Sequence, residues 1–65
     1  MNNTNDADRF HAGLEPGGRV RHPGQPDWGE GQIQSVVGSR VTVNFENAGK
    51  VLINARVVTL QSVDS

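Results

Sequence analysis

The residues best equipped for chemistry are Trp28, the only tryptophan of the sequence, and the cations Arg19, Arg21, Arg40, Lys50 and Arg56. Tryptophan and arginine are the side chains that most often anchor a binding interface. Trp28 has two readings. Its ring caps one end of a small core, beside Gly29 and Gly31, or it is a partly exposed anchor with one buried face. The cations are either solvated charges on strand faces or a shared basic surface that meets an acidic protein patch or a phosphate backbone. Asn44 and Asn54 divide between partner contact and ordinary outward polarity in the same way.

Other chemistries find little support. His22 precedes Pro23 and opens a loop, and His11 is not at ligand spacing from it, so no metal site is expected. As a base, His22 needs a nucleophile and an orienting acid. Asp27 could orient it, but no Ser or Thr lies in a strained nucleophile turn, so His22 is read as a structural hydrogen-bonder. The glycines form no phosphate loop, because no Lys-Ser/Thr follows them. With no cysteine, neither a disulfide nor a thiolate metal site is available. No catalytic residue, cofactor or metal is expected, and the chain is read as a non-enzyme.

The elements that position these residues belong to one small domain. A chain of 65 residues buries only about 60% of the surface that its unfolded form exposes, so its core is thin. Charge is unevenly spread. Asp6, Asp8 and Glu15 outweigh Arg9 before residue 17, whereas the five cations above outweigh Asp27, Glu30 and Glu46 between 17 and 61. The folded part is therefore mildly basic, well short of a dedicated nucleic-acid binder. No apolar run approaches the ~20 residues that span a bilayer, and no basic-then-apolar leader pattern opens the chain. A soluble, cytoplasmic protein is expected.

Residues 1–13, rich in Asn and Asp, read as a flexible, disordered tail. A barrel follows over 14–62, and 63–65 read as a second tail. The organising stretch is 28–45, a glycine-opened strand, a tight turn and a second strand. A first strand over 19–22 places Val20 inward and Arg19 and Arg21 outward. Prolines 23 and 26 make the next segment a loop. Glycines 29 and 31 inside a strand pattern mark a bulge, a bend or a close backbone approach. Strand 32–37 places Ile33 and Val37 on one face, with Val36 out of phase. Gly38-Ser39 suits a hairpin turn. Strand 40–46 alternates cleanly, with Val41, Val43 and Phe45 inward. Strand 50–54 turns Val51 and Ile53 one way and Lys50, Leu52 and Asn54 the other. Residues 55–58 read as one helical turn and 59–61 as a short closing strand. Short strands at this spacing, with no helix to cover a sheet, predict an all-β fold, a small five-stranded antiparallel SH3-like barrel whose closure removes exposed edges.

A resemblance now becomes specific. The stretches Gly18-Arg19-Val20-Arg21-His22-Pro23, Trp28-Gly29-Glu30-Gly31-Gln32-Ile33, Val41-Thr42-Val43-Asn44-Phe45 and Gly49-Lys50-Val51-Leu52, with Leu60, follow the order found in the Tudor-like C-terminal domain of bacterial UvrD/PcrA-type helicases. They are similar, more distantly, to the RNA-polymerase-interacting domain of CarD and of the transcription-repair coupling factor. The chain most resembles a small stand-alone bacterial family catalogued as domain of unknown function 3553, whose core is close to Arg19-Val20-Arg21-His22-Pro23, Pro26-Asp27-Trp28-Gly29 and Gly31-Gln32-Ile33-Gln34-Ser35. The likeness spans about residues 16–62. In the helicase domains the connection from the histidine to an aromatic, commonly Phe, is shorter than His22 to Trp28 here. No helicase motor lies in this stretch, so motor activity is not implied.

The resemblance implies a Tudor-like barrel that docks onto a larger protein machine, with RNA polymerase or DNA-repair machinery as the expected partner. The expected surface is Arg19, Arg21, Trp28, Arg40, Lys50 and Arg56. The alternative is weak nucleic-acid binding through the basic face and Trp28, the only plausible stacking platform once Phe45 is assigned to the core and Phe10 to the tail. Either a monomer or a weak homodimer is expected, without a membrane partner.

Overall fold

The computed structural model describes residues 14–63. The expected tail over 1–13, and the end of the chain at 64–65, lie outside the described residues. The elements are β1 (Arg19–Arg21), a 3-10 turn (Pro26–Trp28), β2 (Glu30–Val37), β3 (Arg40–Phe45), β4 (Gly49–Asn54) and β5 (Gln61–Ser62). All pairings are antiparallel. They form one five-stranded sheet in the order β4-β3-β2-β1-β5. The all-β class and the antiparallel five-stranded arrangement are those expected from the sequence. The ladder ends at β4 and β5, which do not pair with each other, so the sheet curls around its core without closing into a hydrogen-bonded cylinder. Among the described residues there is no α-helix, and no helix is long and apolar enough to cross a membrane.

Alternation in β3 sets the core. Val41, Val43 and Phe45 are buried while Arg40 and Asn44 face solvent. They meet Val20 of β1, Ile33 of β2, Ile53 of β4, and Leu14 and Leu60 from the flanking segments. Leu14 belongs to this core, although its place beside Pro16 and two glycines reads as a turn. Trp28, Val36, Val51, Ala55 and Val58 pack against the cluster from its margins.

Three expectations need correction. Val37 does not share the inward face of Ile33; it is 70% exposed. The register shifts between Ile33 and Ser35, so Val36 falls opposite Val41 and Val37 opposite Arg40. A bulge inserts one unmatched residue and exchanges the two faces of the strand beyond it. The out-of-phase Val36 was the trace of that bulge, which lies past Gly29 and Gly31. The closing strand begins at Gln61 because Leu60 is spent on the core. Val63 is not loose either, since its N–H donates to the Arg19 carbonyl at 2.8 Å.

Gly31 serves a different purpose from a bulge. It is buried in β2 opposite Phe45. A Cβ placed there would lie 2.7 Å from Phe45 Cδ1 and would also strike Val43 Cγ1. The absent side chain is what lets β3's largest core residue lie against β2. Gly31→Ala should therefore cost about 1–3 kcal/mol by overpacking, measured by urea unfolding followed through Trp28 fluorescence. An unchanged midpoint would mean that β2 and β3 can separate without loss.

Candidate functional site

Strand register determines which polar side chains share the outer face. Arg19 pairs with Gln32, Gln32 with Asn44, and Asn44 with Lys50. These four positions form one row across β1, β2, β3 and β4. Because neighbouring strands lie about 4.8 Å apart, Arg19 and Lys50 stand roughly 14 Å from each other along it. Arg21 lies one step outward on the same face, opposite Glu30. A groove of about 620 Å³ follows the row, lined by Arg19, Glu30, Gln32, Asn44 and Glu46 with Gly31 and Phe45 behind them.

The charge along this groove is mixed. Glu30 carboxylate oxygens lie 3.2 Å from Arg19 Nε and 3.6 Å from an Arg21 guanidinium nitrogen. Both arginines are well exposed and Glu30 is only about a quarter exposed, so the carboxylate is the fixed member of the cluster. Glu46 stands next to it and accepts the Glu30 backbone N–H through Oε2 at 2.9 Å. Two arginines are thus interleaved with two carboxylates, and Lys50 stands at the far end of the row.

The remaining expected site residues fall elsewhere. Arg40 opens β3 opposite Val37 and Asn54, four residues along the strand from Asn44, or roughly 13 Å away. Arg56 lies in the turn after β4 with its backbone N–H on Asn54 Oδ1 at 3.0 Å. Of the expected cations the structure brings together Arg19 and Arg21, on Glu30; Lys50 stands at the far end of the row, and Arg40 and Arg56 lie off it.

Trp28 is in neither group. Its ring tilts against Phe45 at 5.2 Å between centroids and meets the His22 ring edge-on at 5.1 Å. Its backbone carbonyl accepts the Asn47 N–H at 3.0 Å, and the Asn47 side chain donates to the Asp27 carbonyl at 3.1 Å. The 3-10 turn is thereby tied to the β3–β4 turn, with the indole laid over the end of the core. His22 holds its own loop, its Nδ1 accepting the Gly24 N–H at 3.1 Å. Among the described residues no group of His, Cys, Asp and Glu is arranged to hold a metal.

Sequence reasoning missed Glu30, Glu46 and Gln32. The available signal was Glu30 between two glycines on the strand that follows Arg19 and Arg21, but it becomes legible only once the register sets Glu30 opposite Arg21.

The model of the family described as "Protein of unknown function (DUF3553)" matches residues 14–63, which is every described residue. No curated protein and no solved structure matches the chain.

The geometry separates packing from surface. Trp28→Ala should lower stability by about 2–3 kcal/mol, toward the low end for a large aromatic because the ring is only half-buried. Arg19→Ala should change it by less than about 1 kcal/mol, as expected for an exposed ion pair. Urea denaturation followed by far-ultraviolet circular dichroism compares the two, and equal losses would contradict the assignment.

Proposed function

The chain belongs to the family described as "Protein of unknown function (DUF3553)", and from that premise we propose that it is a non-enzymatic interaction module that docks onto a larger protein machine. The observation that carries this reading is Glu30 lodged between Arg19 and Arg21, with Glu46 adjoining. A surface of alternating charges suits a protein partner, whose own side chains are mixed and can be matched pair by pair. It suits a nucleic-acid backbone poorly, because phosphate meets carboxylates in the same groove and the field that draws a polyanion is cancelled locally.

The contact residues are Arg19, Arg21, Gln32, Asn44 and Lys50. Trp28 supports this face from behind, packed on Phe45 at the margin of the core. The likeness of the sequence to Tudor-like helicase domains makes RNA polymerase the first partner to try, with DNA-repair proteins next. Weak nucleic-acid binding is the second reading. It would draw on the same cations, but the single tryptophan, packed on Phe45 and His22, leaves little face for a base to stack on.

The test is an amide-resolved titration of isotope-labelled protein with RNA polymerase and, separately, with single-stranded DNA and RNA. Shifts confined to Arg19, Arg21, Gln32, Asn44 and Lys50 with polymerase, and lost in Arg19→Glu/Lys50→Glu, are expected. Shifts with oligonucleotides that vanish steeply on adding salt would replace docking by the second reading. Silence with polymerase would remove it as the partner.

A further inference from the structure

We propose that β4 is a self-pairing edge through which two copies of this chain join, antiparallel, about a two-fold axis at Leu52. β4 ends the sheet on one side and is six residues long, whereas the opposite edge, β5, has two. Residues of an antiparallel ladder alternate between bonding to one neighbour and facing away from it. Here the phase is fixed at the hairpin end, where the Ala55 N–H donates to the Ser39 carbonyl at 2.8 Å, one step beyond the Arg40–Asn54 pair. Counting back along β4, Val51 and Ile53 bond to β3, while Lys50, Leu52 and Asn54 direct their backbone groups to the open edge. The Asn54 carbonyl is already taken by the Val57 and Val58 N–H groups, at 3.0 and 2.9 Å. Leu52, in the middle of this edge, is 63% exposed.

The side chains on this edge favour a second copy. In a two-fold pairing centred on Leu52, Leu52 faces Leu52, Lys50 faces Asn54, and Val51 faces Ile53. Apolar meets apolar on both faces of the sheet, and no like charges stand opposite each other, which would be unfavourable. Leu52 exchanges both backbone bonds with its mate, and on each side the Asn54 N–H reaches the Lys50 carbonyl of the other copy. An edge lysine usually discourages pairing, but in this register each lysine lies beside an amide. Because Asn54 is also opposite Arg40 within its own copy, the row Arg19-Gln32-Asn44-Lys50 continues into Asn54 and Arg40 of the second copy. Pairing thus adds to that row a cation that one copy alone keeps apart. The pairing itself does not depend on the docking function proposed above.

Sedimentation velocity of the full chain over a range of concentrations tests this, beside Leu52→Lys, Leu52→Asp and their equimolar mixture. The wild type should show a reversible monomer–dimer equilibrium. Each variant alone should associate roughly tenfold more weakly, because like charges replace the Leu52 contact. The mixture should recover association, since lysine then faces aspartate. A wild type that is monomeric at every concentration, a dimer indifferent to both substitutions, or a mixture no better than its components would overturn the proposal. Hydrogen exchange on the wild type tests it without any substitution. The Leu52 amide should slow with rising concentration, and a constant rate would count equally against the pairing.

Discussion

The contact of Phe45 with the bare backbone of Gly31 is the constraint on which the rest of the structure depends. Without a side chain at Gly31, the Phe45 and Val43 side chains occupy the space over β2 that a Cβ would take. Phe45 in turn supports Trp28, and Trp28 holds the His22 ring and, through its carbonyl, the Asn47 N–H. The loop after β1, the 3-10 turn and the β3–β4 turn are therefore anchored to one aromatic stack. In a domain with a thin core and no disulfide, a short chain of contacts of this kind does what a deep interior does elsewhere.

That stack also bears on the groove. Glu30 and Gln32 flank Gly31 in β2, and Asn44 and Glu46 flank Phe45 at the end of β3. Because side chains alternate along a strand, the residues that seal the core fix by their spacing the positions of the groove's polar residues. Glu30 and Glu46 are held to each other by two bonds, since the Glu46 N–H donates to the Glu30 carbonyl and the Glu46 carboxylate accepts the Glu30 N–H. The carboxylate between Arg19 and Arg21 is thus placed by backbone pairing, and the more exposed arginines adapt to it.

Much of this fold was legible in the sequence because its period-two pattern is strong where burial is strongest. The strand expected over 40–46 is found as Arg40–Phe45, since Val41, Val43 and Phe45 alternate without a break. Val37 was misplaced because periodicity assumes an unbroken strand, and the bulge near Gln34 breaks it without a glycine to mark the spot. Leu14 was missed because its neighbours are turn residues, and only the curl of the sheet brings it over the core. The site was less legible. Cations can be counted in a sequence, but which ones meet follows from register, which brings Arg19 and Arg21 together on Glu30, leaves Lys50 at the far end of the row and keeps Arg40 and Arg56 off it. Trp28 resolved toward packing because its nearest rings, His22 from the loop after β1 and Phe45 from β3, meet it only in the fold.

The unequal edges have a common cause in the segment between β4 and β5. After Asn54 the chain makes a turn whose Val57 and Val58 N–H groups bond back to Asn54, so the strand direction is lost at once. Val58 then packs on the core and Leu60 enters it. The chain emerges beside β1, where Gln61 pairs with Arg21 and Ser62 with Val20. Had these residues stayed in line with β4, they could have folded back on it as a hairpin and covered its edge. Burying Leu60 instead commits the last strand to the far side of the sheet. The apolar side chain that helps complete the core thereby leaves β4 as the long open edge, with Leu52 at its centre.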